Sequence, residues 1–182
     1  MHFETEHLIL RPWADEDLED LYEAAREPAV GLPCGWQPHP SLEHSRAVLE
    51  KILQNDHTWA LVLKETGKAV GTLSLMPSDE SELASPQEAE LGAWIAVPCQ
   101  GKGLVPEGAR VLLQYAFETL DRTAVWAGYY DGNDRSGSMQ RKLGFVPIKT
   151  LESHLVPALN EYRTLHVTCL SKERWQSLQT ND

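Results

Sequence analysis

Cysteine is scarce in this chain of 182 residues. Cys34, Cys99 and Cys169 lie far apart, which excludes a disulfide framework and leads us to expect free thiols in a reducing cytoplasm. Long apolar runs are absent, so no segment is expected to span a membrane. The opening Met1–Glu6 has neither a basic stretch nor an apolar one and does not read as a secretory signal. Positive charge is in short supply: Lys and Arg total 16 against 27 Asp and Glu, a net charge of −11. Such an acidic chain is ill suited to nucleic acid. Its charge fits a cationic substrate, or serves solubility alone. Cys34, His39 and His44 match no zinc spacing, so no metal is expected. There is no G-x-x-x-x-G-K-S/T run and no G-x-S-x-G, which removes P-loop NTPases and serine hydrolases of the nucleophile-elbow type.

What is present is an ordered alternation of elements. Leu8-Ile9-Leu10 reads as a first strand, and Asp15 as the cap of a helix with Leu18, Leu21, Tyr22 and Ala25 on its apolar face. Pro28–Pro40 reads as a loop. Ser41 then caps a second helix that turns Val48, Leu49, Ile52 and Leu53 inward. Thr58–Lys64 and Ala69–Met76 flank Glu65-Thr66-Gly67-Lys68 as a hairpin, and the acidic stretch Pro77–Gln87 reads as a solvated loop. Glu88–Ala96 is the next strand, followed by a helix from Pro106 to Leu120 with Ala109, Leu112, Leu113, Ala116 and Leu120 on one face. Ala124–Tyr130 is a strand, and the helix after it ends at Leu143 with Gly144 in the C′ position. Phe145–Leu151 and Tyr162–Leu170 close the chain as strands around a loop, Glu152–Glu161. This order describes one α/β domain over residues 1–182.

The most informative stretch is Val97-Pro98-Cys99-Gln100-Gly101-Lys102-Gly103-Leu104-Val105-Pro106, set between a strand and a helix. A glycine turn there directs several backbone N–H groups, backed by the positive helix end, toward one point suited to phosphate or pyrophosphate. Pro106 occupies the place of the third glycine in a dinucleotide fingerprint, which argues against a Rossmann site. Its missing N–H costs nothing in a first helical turn. Taken alone, the turn is equally a tight bend with glycines for geometry only.

After the following strand come Asn133-Asp134-Arg135-Ser136 and then Leu143-Gly144-Phe145. With Gln100-Gly101-Lys102-Gly103 upstream, this resembles the GNAT superfamily of acetyl-CoA-dependent N-acetyltransferases. Thr5-Glu6-His7-Leu8-Ile9-Leu10-Arg11-Pro12-Trp13, Val70-Gly71 and Ala89-Glu90-Leu91-Gly92 extend the likeness over nearly the whole chain and resemble the branch that acetylates ribosomal-protein N-termini. Two positions depart: Val105 stands where the family has Gly or Ala, and Ala93 where this branch often has Tyr.

The resemblance implies a mixed, mostly antiparallel sheet of about seven strands, flanked by helices. That sheet would splay between the fourth and fifth strands, Glu88–Val97 and Ala124–Tyr130, with the pantetheine arm of acetyl-CoA in the gap. It assigns main-chain groups of Trp94, Ile95, Ala96 and Val97 to the arm. The N–H groups of Gly101, Lys102, Gly103, Leu104 and Val105 take the pyrophosphate, with Gln100 at the head of the loop. The Lys102 ammonium either adds charge near phosphate or is solvated. Asn133 either positions the cofactor or caps its helix. Direct attack of a primary amine on the thioester then needs a base, an oxyanion donor and a proton for the thiolate. Glu90, a carboxylate in an otherwise apolar strand, is the expected base, directly or through a water, and also lines the acceptor site; its bland reading is a rim carboxylate. Ser136 is the expected acid and a cofactor contact, with helix capping as its plain alternative and Tyr129 and Tyr130 as rivals. Tyr130 and Trp36 are expected to contact the acceptor, a protein N-terminus or a small amine; Trp36 is otherwise folded onto the core. A homodimer is compatible with this reading. The rival function is a non-catalytic acyl-CoA-binding sensor, which would keep the loop and lose the base.

Overall fold

The opening residues pair as two short antiparallel strands, β1 (Phe3–Glu4) and β2 (Leu8–Arg11), in a computed structural model that describes residues 1–180. Two compact units are resolved: Met1–Ser74 with Gly92–Val111, and Leu75–Leu91 with the chain from Leu112 onward.

In the first unit a 3-10 turn at Asp15–Asp17 leads into α1 (Leu18–Ala25). The capping carboxylate is Asp17, not Asp15: Asp17 accepts from the Ala14 N–H and is clamped by both terminal nitrogens of Arg11 at 2.6 and 2.7 Å. The stretch expected to be a loop contains a helix, α2 (Pro28–Cys34). Pro28 occupies its first turn, where proline is tolerated, and Gly35 ends it with a left-handed φ of 86°. The Ser41 hydroxyl caps α3 (Leu42–Val48) by accepting from the His44 N–H at 3.1 Å. Antiparallel pairing carries β2 onto β3 (Thr58–Leu63) and β3 onto β4 (Ala69–Met76), the expected hairpin. One face of these strands buries Trp13, Leu18, Leu21, Leu49, Leu53 and Val62. On the other lies α4 (Leu104–Gln114), whose Gly108 permits close approach: a Cβ there would sit 2.9 Å from Leu73 and 3.3 Å from Leu61.

Two inward assignments fail for one reason. Leu49–Leu53 and Tyr115–Thr119 are π turns continuing α3 and α4. Their i→i+5 spacing rotates the apolar stripe. Ile52 is therefore 60% exposed and Leu120 37%, while Leu53 and Phe117 are buried.

The second unit holds the start of β5 (Glu88–Ile95) in parallel register with β6 (Ala124–Tyr130), from Glu88↔Ala124 to Glu90↔Trp126. β6 pairs antiparallel along its whole length with β8 (Glu161–Ser171), and β8 with β7 (Val146–Val156). The expected loop Glu152–Glu161 thus shrinks to a turn between two long strands. α5 (Asp134–Lys142) ends as expected at Gly144, whose φ is 94°. A further helix, α6 (Lys172–Gln179), sets Trp175 beside the fully buried Phe117, with ring centroids 5.2 Å apart. Among the described residues the sheet is mixed and mostly antiparallel with eight strands, accompanied by six α-helices, one strand more than the sequence suggested because of β1.

Candidate active site

Between β5 and α4 the backbone makes a 3-10 turn at Val97–Cys99 and then two left-handed residues, Gly101 at φ 75° and Gly103 at φ 80°. A Cβ on either would meet nothing within 4 Å. The glycines therefore serve the backbone path, and the space beside them is open. The Glu107 N–H donates to the Gly103 carbonyl at 3.1 Å, so the helical ladder starts at Gly103. The N–H groups of Gly103, Leu104 and Val105 consequently precede any intrahelical partner, and Pro106 has none to offer. Consecutive donors at a helix N-terminus are suited to an anion. Lys102 is exposed, Leu104 buried and Val105 half-buried.

The strand leading into the loop is fixed on one side. The Ala96 N–H donates to the Val70 carbonyl at 2.7 Å, and the Gln100 side chain donates to the Ile95 carbonyl at 3.3 Å. Ala96 thus has its N–H committed to β4. Strand alternation turns the N–H of Ile95, the last residue of β5, to the opposite edge.

The first turn of α4 carries an anchor that sequence reasoning missed. The Glu107 carboxylate accepts from the Thr5 hydroxyl, from the His7 N–H at 2.8 Å, and pairs with His7 Nδ1 at 2.9 Å. Spacing gave no warning, since these partners are about a hundred positions apart.

Glu90 is largely buried on β5, and burial raises its carboxyl above the ordinary value, aided by Glu82 and opposed by a hydrogen bond from Ser81. The Ser81 hydroxyl lies 2.6 Å from Glu90 Oε2 and accepts from the Leu83 and Ala84 N–H groups. The acidic loop around Ser81 read as solvated, and no local pattern marked Ser81 as a partner of Glu90.

On α5 the Asn133 side chain accepts from the Ser136 N–H at 3.3 Å, so Asn133 caps the helix and Ser136 is its third residue. Ser136 is governed by buried Gln140. Gln140 Nε2 donates to the Gly128 carbonyl at 3.2 Å and to Ser136 Oγ at 3.1 Å, and Gln140 Oε1 accepts from Thr168 at 2.7 Å. A carbonyl only accepts, which fixes the amide's orientation and makes Ser136 an acceptor toward Gln140. The Ser136 proton is left for another group. Tyr129 packs on Gly137, where a Cβ would sit 2.7 Å from its ring, and stacks on His166 at 4.9 Å. Tyr130 is half-buried beneath the Arg163 guanidinium, 5.6 Å above its ring.

In the first unit Trp36 packs edge-on to Trp94 at 6.1 Å and against His39 at 5.5 Å, and Trp94 stacks on Trp13 at 6.0 Å. Buried His39 sits 2.7 Å from the Ser45 hydroxyl, and burial, with His44 nearby, pushes it down to about 4, so it is neutral at pH 7. The Cys34 thiol points at the Ala93 carbonyl, 3.8 Å away, and burial pushes it up to about 11. Among the described residues no group of three or more His, Cys, Asp or Glu side chains is placed to hold a metal ion, and no helix is long and apolar enough to cross a membrane.

Comparison with known proteins bears on this arrangement. Residues 7–146 match the acetyltransferase (GNAT) domain family. A candidate ribosomal N-acetyltransferase of Bacillus subtilis, YdaF, is 35% identical over 82 residues, which cover 44% of this chain and 42% of that protein. An uncharacterized N-acetyltransferase of Bacillus licheniformis, p20, is 25% identical over 148 residues, 78% of this chain and 80% of that one. The fold is that of a GNAT-family acetyltransferase from Bacillus anthracis, with a TM-score of 0.82 at 18% identity, covering 95% of this chain and 99% of the other. The family match spans most of the chain, including both strands that bear Glu90 and Tyr130 and the glycine loop between them, and the protein therefore belongs to the GNAT family of N-acetyltransferases.

Proposed function

We propose that the protein transfers the acetyl group of acetyl-CoA directly to a primary amine, either a protein N-terminus or a small amine. The observation that carries this is the pair of left-handed glycines opening onto free space at the N-terminus of α4. Such a cradle fits the diphosphate of CoA: it offers backbone donors and has no side chain in the way. Gly101 to Val105 hold the diphosphate, and the main chain of Trp94 to Val97, with the Ile95 N–H turned away from β4, holds the arm.

Bound acetyl-CoA supplies a thioester carbonyl. The amine nitrogen forms the new C–N bond there as the C–S bond breaks. Glu90 accepts the amine proton, directly or through a water; its burial matches its proton affinity to that task better than an exposed carboxylate's. A β5 backbone N–H stabilises the oxyanion. The departing thiolate takes its proton from Ser136, whose hydroxyl hydrogen Gln140 leaves uncommitted, with Tyr130 as the rival donor. The name of the Bacillus subtilis relative favours a ribosomal protein as acceptor, and the net charge of −11 suits any cationic one.

The test is calorimetry with acetyl-CoA, followed by mass spectrometry of products from a panel of amines and peptides. Micromolar binding and acetylated amine are expected. Absence of binding at millimolar acetyl-CoA would overturn the reading.

A further inference from the structure

We propose that Ser81 is a positioning residue for the transfer: its hydroxyl occupies Glu90 Oε2 and leaves Oε1 as the atom that receives the amine proton. The inference rests on Glu90 being the base.

The hydroxyl of Ser81 is fully committed. It has two lone pairs and one hydrogen. The lone pairs accept from the Leu83 N–H at 3.0 Å and the Ala84 N–H at 2.9 Å. The hydrogen has one direction left, toward Glu90 Oε2 at 2.6 Å, a length typical of a hydroxyl donating to a carboxylate. It cannot swing away without breaking the turn. The turn is itself held, because Leu83 packs over Gly128 of β6: a Cβ on that glycine would sit 3.7 Å from Leu83 Cδ1. Glu90 Oε1 has no protein hydrogen-bond partner among the described residues and is not sealed from solvent.

Among the described residues no cation lies within 4 Å of this carboxylate to compete with Ser81. Glu82, on the same turn, is exposed and lies 3.9 Å from His154 of β7. Glu88, two residues before Glu90 on β5, is tied to the Trp126 indole of β6 at 2.9 Å and to the Ser85 N–H at 2.7 Å. Opposite Glu90 in register stands uncharged Trp126. One neutral hydroxyl thus aligns Glu90 and opposes the effect of burial and of Glu82 on its ionisation. Removing it disfavours the carboxylate form.

The experiment compares kcat/KM for the amine across pH in the wild type, Ser81→Ala, Ser81→Thr and Glu90→Gln, alongside carbon-13 NMR titration of the Glu90 carboxyl, assigned by its loss in Glu90→Gln. In the wild type, Glu90 marks the break where the acid-side slope steepens from one to two. In Ser81→Ala this break and the NMR titration both move up by about one pH unit, so kcat/KM below the break falls about tenfold while KM for acetyl-CoA holds. Ser81→Thr restores both. If Ser81→Ala folds poorly, Ser81→Cys, a weak donor, moves both in the same direction. A break that vanishes in Glu90→Gln but stays in place in Ser81→Ala and Ser81→Cys overturns the role of Ser81 alone. An unchanged profile in Glu90→Gln overturns the base reading, and this inference with it.

Discussion

His7 Nδ1 lies 2.9 Å from Glu107 Oε2, which ties the chain's opening segment to the helix that starts at the glycine loop. The hydrogen bond that His7 donates to Glu107 raises His7 above its ordinary value of 6.5. Burial pushes the Glu107 carboxyl up, but hydrogen bonds from Thr5 and His7 outweigh it and hold the group below 4.5. A raised histidine contributes stability that is complete below 6.5 and fades as pH climbs through its raised value. A lowered carboxyl contributes stability that is complete above 4.5 and fades as pH falls through its lowered value. Both are in force between those two limits. His7→Ala and Glu107→Gln should therefore lower Tm most between pH 4.5 and 6.5, with the gap to wild type narrowing on either side. Thermal melts across pH, at low salt, check this.

Cys34 bears on whether an acyl-enzyme forms. With its thiol at about 11, only about one molecule in a thousand carries the thiolate at pH 8. Cys169 is likewise pushed up to about 11 by burial and by Glu88. Burial thus disfavours the thiolate at both positions. Cys34→Ala should keep kcat within about twofold of wild type, and initial-rate lines at varied amine and acetyl-CoA should intersect. Parallel lines, or loss of turnover in Cys34→Ala, would contradict direct transfer.

Gly103→Ala separates backbone conformation from space. The φ of 80° costs an L-residue about 1–2 kcal/mol, although the new methyl meets nothing. Tm should fall modestly. The dissociation constant for acetyl-CoA, measured by calorimetry, should rise by about tenfold as the Gly103–Val105 donors shift. KM for the amine should stay within twofold. Lys102→Ala, on an exposed side chain, should do much less.

Elements with strong local signals were legible in the sequence. The strand Ala124–Tyr130 has the expected ends, Ser41 and Gly144 cap as expected, and the glycine loop sits between strand and helix. α2 was hidden because Pro28, Gly31 and Pro33 are three of its seven residues, yet Pro28 falls in its first turn and Gly35 just past its end, where each is harmless, and the helix accommodates Pro33 near its C-terminus. α6 was hidden because Trp175 is its only buried residue, too little for a periodic stripe. The long hairpin of β7 and β8 was cut short because polar residues such as Glu152, Ser153 and His154 lie on an edge strand whose pairing is set by β8. Of the candidate site, the sequence offered residue types alone, namely Glu90, Ser136, Asn133 and the glycines, whose roles are the ones proposed above. The supporting partners, Ser81, Gln140, Thr5 and His7, depend on contacts that no local pattern encodes.

Trp36 offers a test of acceptor handling that leaves the indole itself in place. Gly31, inside α2, lies under this side chain: a Cβ there would come within 2.6 Å of Trp36 Cε3 and 2.8 Å of the Trp36 carbonyl. Gly31→Ala must push the indole off the helix, disturbing its edge contact with Trp94 and its contact with His39. Overpacking of this kind costs about 1–3 kcal/mol, so Tm should drop by several degrees. Tryptophan emission should shift as the ring changes environment. If Trp36 shapes the acceptor wall, KM for the amine rises several-fold in both Gly31→Ala and Trp36→Ala, while the dissociation constant for acetyl-CoA is unchanged. If both variants lose stability but bind and turn over the amine as the wild type does, Trp36 is a core residue only. The acceptor wall must then be sought at Tyr130, whose ring lies under the Arg163 guanidinium.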